Sequence, residues 1–182
     1  LGASLSGVSV QIPDFESHEE MLLVRGRAQG PTGELLRFIE QSPLGETLDH
    51  FTRDMKAVGN GSLNLELDIP LRHANDTRMR GDYRFQNNQL QPLAGLPSIA
   101  QVNGRLQLTE STATAQDIVG RVFGGPLKVQ VRSVGGKVGI QAHGTAQIKE
   151  VSSHFGWPLI NHLTGSAAWK ADIGIRQRTA EV

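Results

Sequence analysis

GSLNLELDIPL, residues 61–71, sets Leu63, Leu65, Leu67, Ile69 and Leu71 on every second position, with Asn64, Glu66 and Asp68 between them. In an extended chain successive side chains point to opposite sides, so this stretch predicts a strand with one dry face and one wet face. The pattern spreads outward from there. TRMRGDYRFQ (77–86) opposes Met79, Tyr83 and Phe85 to Arg78, Arg80, Asp82 and Arg84. QVNGRLQLT (101–109) opposes Val102, Leu106 and Leu108 to Arg105 and Gln107. Further on come Ile118, Gly120 and Val122, then Leu127, Val129 and Val131 against Lys128, Gln130 and Arg132. Val138, Ile140, Ala142 and Ala146 follow, and finally Ala167, Trp169, Ala171 and Ile173. Shorter signals at Val8–Ile12 and Leu22–Ala28 predict strands at the start.

Turn chemistry falls between the runs. Asn87-Asn88, Gly124-Gly125 and Gly135-Gly136 accept positive φ and suit tight antiparallel hairpins. The 21 glycines fit a twisted sheet whose backbone must bend. The expected fold class is mainly β, an antiparallel sheet.

Two stretches depart from alternation and resemble one another. In the first, Thr32 is the expected N-cap of a helix carrying Leu35, Leu36, Phe38 and Ile39, and Pro43 stops it. Leu44, Leu48, Phe51 and Met55 continue at helical spacing. In the second, Val151 and Phe155 lead to Trp157-Pro158-Leu159, then Ile160 and Leu163. Both read strand, helix, x-Pro-Leu, helix, Gly-Ser, strand, with Gly61-Ser62 matching Gly165-Ser166, Leu65 matching Trp169 and Ile69 matching Ile173. The expectation is a repeat with copies at about 21–71 and 139–175, in a chain whose residues 1–182 form a single fragment of a longer protein. Leu1 in place of a methionine supports the fragment reading, so the membrane anchoring of the whole protein is not readable here.

Composition bounds the function. Apolar residues at 38% and charged residues at 20% suit a folded body, not a charge-driven disordered chain. Eighteen basic residues balance eighteen acidic ones, and no Lys/Arg cluster exceeds Arg78–Arg80, which argues against a nucleic-acid partner. With no cysteine, disulfides, thiol nucleophiles and Cys-ligated zinc are excluded, but the compartment is not fixed. No apolar run approaches the roughly 18 residues needed to span a bilayer as a helix.

So many strands with one apolar face pose a problem, since each Å² of that face left in water costs about 25 cal/mol. A second sheet, a covering of helices, or a curled trough holding a hydrophobic ligand would each solve it. Alternation alone does not choose among them.

The run GNGSLNLELDIPL, then GDYRFQNNQLQ, LPSIAQVNGRLQLTES and GRVFGGPLKVQVRSVGGKVGIQAHGTA, preceded by GPTGELLRFIEQSPL, resembles the AsmA-like envelope proteins, and among them the long, YhdP-type members, relatives of TamB. The resemblance covers roughly residues 21–175. It rests on the order and spacing of the motifs, because each alone is ordinary hairpin grammar. It implies a repeating β-groove: a curved antiparallel sheet forming an open hydrophobic groove, with two short helix-Pro-helix inserts. It further implies the periplasmic part of a protein anchored in the inner membrane of Gram-negative bacteria outside this fragment, with neighbouring modules of the same chain as partners. Phospholipid acyl chains would pass between inner and outer membranes along the groove. By position in the pattern, the groove would be lined by Leu63, Leu65, Leu67, Ile69, Met79, Tyr83, Phe85, Val102, Leu106, Leu108, Ile118, Val122, Leu127, Val129, Val131, Val138, Ile140, Trp169 and Ile173. The family brings no catalytic residues and no cofactor.

Other chemistries find little in the residues. Asp14, Glu16 and His18 alternate as metal ligands sometimes do, but no further ligand has a defined place beside them. His154 and His162 lack the i, i+4 spacing of a zinc helix, and His50 and His73 lie in polar surroundings. RSVGGK sits between strands, not before a helix, and reads as a hairpin turn rather than a phosphate loop. With no nucleophile elbow or paired-carboxylate motif, an enzyme is not expected. Tyr83, Phe85 and Trp169 read as inward packing, Trp157 as a staple beside Pro158. The stripes at Leu35–Ile39 and Leu44–Met55 lack the basic polar face of a membrane-surface helix. The rival function is an assembly factor that lends sheet edges to outer-membrane strands and binds protein rather than lipid.

Overall fold

The alternating runs are extended, except that Leu71, expected on the dry face, lies in the turn after β3 and is 45% exposed. The computed structural model describes residues 2, 4–13, 20–41, 50, 52–73, 76–92, 94–134, 137–156 and 163–176, with side chains as far as 174. Its elements run β1 (Ser4–Gln11), β2 (Met21–Pro31), α1 (Thr32–Glu40), β3 (Lys56–Pro70), β4 (Arg78–Gln91), β5 (Ile99–Thr109), β6 (Ala113–Val122), β7 (Gly125–Val134), β8 (Lys137–Gln147), α2 (Ile148–Phe155) and β9 (Ser166–Arg176). The nine strands form one sheet in chain order, each antiparallel to the next, with β1 and β9 at opposite margins. The sheet does not close, and the fold is mainly β with two short helices, as expected.

Pairing in register carries the dry face across strand boundaries, because directly opposed residues in an antiparallel pair share a side of the sheet. One row runs Gly26, Leu65, Gly81, Leu108, Ala113, and a second runs Ala28, Leu63, Tyr83, Leu106. Beyond β5 the rows resume as Ala115, Val131, Ile140, Ile173, as Ile118, Val129, Ala142, Ala171, and as Gly120, Leu127, Gly144, Trp169. The wet face carries Arg27 bonded to Asn64 at 2.9 Å and Arg105 paired with Asp82 at 3.1 Å. Register shifts interrupt the ladders in β1, between Val58 and Asn60 in β3, between Phe85 and Asn88 in β4, and between Ala115 and Ile118 in β6. Such bulges bend a strand and increase its twist, which gives an open sheet its curvature.

Connections alternate between two rims. One rim carries α1, the β4–β5 loop, the β6–β7 turn and α2; the other carries the β1–β2, β3–β4, β5–β6 and β7–β8 connections. At the first rim Phe123 (φ 47°) and Gly124 (φ 70°) form the two-residue turn between Val122 and Gly125. Val134 and Lys137 pair across Gly135-Gly136, which lie outside the described residues.

Several local expectations are corrected. Asn87-Asn88 is not a hairpin turn. Asn87 does take positive φ, 51°, but inside β4, where it makes the bulge opposite β5, and the turn lies beyond Gln91. Thr32 is not an N-cap. It is the first helical residue after Pro31, and its hydroxyl is turned away from the helix end. Gly61-Ser62 lies within β3, which starts at Lys56, and Met55 follows the Thr52–Asp54 turn rather than sitting in a helix. Leu163 lies outside any helix and is exposed. The segment with Pro43, Leu44, Leu48 and Phe51, the run Trp157–Ile160 with His162, and Asp14, Glu16 and His18 fall outside the described residues.

Candidate functional site

Strand pairing carries the apolar face from β2 to β9, and its burial is uneven. Met79, Tyr83, Phe85, Val102, Leu108, Val122, Leu127 and Val138 are buried. Leu63, Leu65, Leu67, Ile69, Leu106, Ile118, Val129, Val131, Ile140 and Trp169 are half-buried, and Ile173 is 42% exposed. All nineteen residues expected to line a groove are on strands, and register places them on one side of the sheet with Ala146, which alternation had named, and with Ala113 and Ala115, which it had not. A contiguous cluster from Leu35 and Ile39 through Tyr83 and Leu108 to Val138 joins thirteen of the nineteen; Ile69, Val122, Leu127, Val129, Trp169 and Ile173 lie outside it. Among the described residues no second sheet lies over this face.

Helix α1 covers part of it. Leu35 and Ile39, four residues apart, share one side of the helix and are 5% and 2% exposed, with Phe38 beside them. The helix is seated by a buried polar knot. The Thr32 hydroxyl lies 2.7 Å from the Tyr83 hydroxyl and donates to Asn88 Oδ1. Asn88 Nδ2 in turn donates to the carbonyls of Asn60 (2.7 Å) and Gln86 (2.8 Å). Thr32 and Asn88 are each 0% exposed, so these bonds satisfy groups that water cannot reach. Burial pushes the Tyr83 hydroxyl above its ordinary pKa, partly offset by the bond to Thr32, so it stays protonated. Gly61 is required beneath it, since a β-carbon there would overlap the Tyr83 hydroxyl. Tyr83 and Phe85 meet edge to face, centroids 5.0 Å apart. The knot was invisible in the sequence, where Asn88 read as a turn residue.

At its other end α1 is latched by Glu40, which accepts from His50, Thr52 (3.3 Å) and Arg53 (3.2 Å). Partial burial pushes the Glu40 carboxyl up, but hydrogen bonds and charge attraction from His50 and Arg53 together outweigh it and hold the pKa below the ordinary value.

The family described as YhdP protein matches the chain over residues 1–182. The chain belongs to the YhdP family. A curated YhdP relative, named the intermembrane phospholipid transporter YhdP of Escherichia coli (strain K12), is 25% identical over 186 residues, covering 96% of this chain. The chain spans 14% of the length of that relative. No solved structure matches it. The open, one-sided sheet is therefore a fold found in the YhdP family.

Two smaller depressions flank the sheet. One, about 590 Å³, lies between β1, β2 and β3 at Ser6, Gly7, Arg25, Gly26, Arg27, Asn64, Leu65 and Glu66. The other, about 600 Å³, lies on the rim away from α1. At β9 the indole N–H of Trp169 is buried without an acceptor among the described residues. His154 sits against Phe123 and Phe155 with Nε2 3.2 Å from the Gly95 carbonyl oxygen.

Proposed function

We propose that this chain is a segment of a periplasmic conduit that shields phospholipid acyl chains as they pass between inner and outer membranes. The observation that carries the reading is the apolar face that strand pairing carries from β2 to β9 across several bulges, partly buried by curvature and α1 yet covered by no second sheet among the described residues. Carrying one acyl chain of some sixteen carbons naked through water would cost on the order of 12 kcal/mol at about 0.8 kcal/mol per methylene. Leu, Ile, Val and Met offset that cost with non-directional contacts, so a chain slides rather than sticks. The work is transport without bond-making, and no catalytic role is assigned. The name of the Escherichia coli relative supports phospholipid as the cargo.

The nineteen residues named above are the proposed lining. The conduit continues into neighbouring modules through the free margins of β1 and β9, and the inner-membrane anchor belongs to another part of the protein. The two strand–helix–strand stretches, about 21–71 and 139–175, are the proposed repeat. In support, Leu65 faces Gly26 as Trp169 faces Gly144, and Gln29 faces Ser62 as Gln147 faces Ser166.

Leu67→Asp and Val129→Asp place a carboxylate at half-buried points of the lane. Each should abolish lipid that co-purifies with the folded chain, read by native mass spectrometry, and should abolish transfer when built into the full-length protein. Folded variants that still carry lipid at the wild-type level would defeat the reading.

A further inference from the structure

The two rims of the sheet differ chemically, and the difference gives a bound lipid a direction. On the helical rim α1 closes the apolar face with Leu35 and Ile39 over the Tyr83–Phe85 pair. On the opposite rim, where β2 begins and β3 ends, the cleft of about 600 Å³ is lined by Glu20, Asp68, Arg72, His73, Asp76 and Arg78, together with Met21 and Pro70. Its charges are of both signs. Arg72 lies 3.9 Å from Glu20, and Asp68 and Arg78 are register partners. Alternation assigns Met21, Pro70, Asp68 and Arg78 to the wet side: Met21 and Pro70 one residue beyond the dry Leu22 and Ile69, and the Asp68–Arg78 pair one residue inside Ile69 and next to the dry Met79. The cleft thus sits at the strand end, immediately over the lip from the apolar lane.

We propose that this cleft receives an amine-bearing phosphodiester, the headgroup of a zwitterionic phospholipid whose acyl chains lie on the apolar face beside it. This rests on the conduit reading and adds to it a headgroup class and an orientation. Arg72 and Arg78 supply guanidinium donors suited to phosphate oxygens, and Glu20, Asp68 and Asp76 supply acceptors for an ammonium. An anionic headgroup without an amine would leave those three carboxylates facing like charge. The dimensions agree: from Ile69 to Leu63 the strand advances about 20 Å, while one leaflet of bilayer hydrocarbon is about 15 Å thick. Acyl chains starting at this lip would therefore end before the polar knot of α1, and the closed helical rim leaves the headgroup only the charged side for exit.

The test is competitive capture. The chain is incubated with vesicles of phosphatidylethanolamine, phosphatidylglycerol and diacylglycerol in equal parts, and the bound lipid is extracted and quantified. Phosphatidylethanolamine should exceed diacylglycerol by about tenfold, the equivalent of one charge-assisted hydrogen bond. Arg72→Gln with Arg78→Gln should bring that ratio to about one while diacylglycerol capture is unchanged. Both arginines are exposed, so the fold should survive. Asp76→Lys should shift the balance toward phosphatidylglycerol. Wild-type chain that takes the lipids indifferently, or a double variant with the wild-type ratio, overturns the headgroup site while leaving the conduit standing. Capture of none of the three defeats the conduit itself. If soluble glycerophosphoethanolamine binds in an Arg72- and Arg78-dependent way but phosphatidylethanolamine is not preferred, the cleft serves a free metabolite and the lipid assignment falls.

Discussion

The two helices follow strands of the same sheet at the same rim, yet they are attached to it in different ways. Helix α1 lies on the apolar face itself, with Leu35 and Ile39 inside the main cluster and Thr32 bonded to Tyr83 and Asn88 beneath it. Helix α2 hangs on the rim. Of its residues only Ser152 is buried; Phe155 is 40% exposed and meets Phe123 of the β6–β7 turn, while His154 reaches Gly95 of the β4–β5 loop. Both helices have apolar positions at helical spacing, so amphipathicity alone does not decide where a helix docks. A specific polar anchor under α1 marks the difference. The sheet responds accordingly: Tyr83 and Phe85 beside α1 are buried, whereas Trp169 and Ala171 on β9 beside α2 are half-buried and Ile173 is exposed. Among the described residues, one stretch of the face is roofed by its own chain and the other is more open to solvent.

The largest effect that sharpens this contrast is expected from truncating each helix. Ile39→Ala removes a side chain 2% exposed and should lower stability by about 2–5 kcal/mol. Phe155→Ala, on the rim, should cost below about 1 kcal/mol, because much of that ring already meets water. Denaturant midpoints at constant slope measure both. Equal losses would mean that α2 is as integral to the sheet as α1, and the distinction would vanish.

The next effect concerns the anchor. Asn88→Ala leaves the Asn60 and Gln86 carbonyls without the amide donor and the Thr32 hydroxyl with Tyr83 alone, in a site water does not reach, and should cost about 1–3 kcal/mol. If the knot seats α1, amide exchange should quicken in Leu35–Ile39 more than in β7 or β8. Uniform acceleration across the sheet would show that Asn88 supports β4 alone, not the helix.

How much of this was legible follows from what a sequence pattern reports. Alternation reads which side of a strand is dry, and it placed Leu63 through Ile173 correctly on strands because that signal repeats every second residue and needs no partner. The two-residue turn at Phe123-Gly124 was legible within one residue, since positive φ has a short list of suitable residue types. Asn87-Asn88 misled for the same reason: a bulge within a strand demands the same conformation as a turn, and the local sequence does not distinguish them. Thr32 misled because a hydroxyl at a helix start serves equally as a cap or as a bond to another element. Which of the two forms is decided by Tyr83 and Asn88, 51 and 56 residues away. The dry face was thus readable locally, whereas the roof over it depends on long-range partners that no window contains.

The smallest effect tests the other end of the roof. Glu40 holds the end of α1 through His50, Thr52 and Arg53, and its folded pKa lies below the ordinary value of 4.5. A depressed carboxylate pKa contributes stability that is fully present above the unfolded value and is lost as pH falls through the folded one. The loss should therefore begin below about pH 4.5 and run downward, not appear near neutrality. Because Arg53 is largely exposed and solvent screens the pair, the contribution should stay below about 1 kcal/mol. Glu40→Gln should leave a chain slightly less stable at neutral pH, with the two stability curves converging as acid is added. No α2 carboxylate stands in a comparable latch among the described ion pairs, so Glu150→Gln should leave the acid limb unchanged. If Glu150→Gln flattens that limb as much as Glu40→Gln does, the acid sensitivity is a property of the whole sheet, and the roof has no latch of its own.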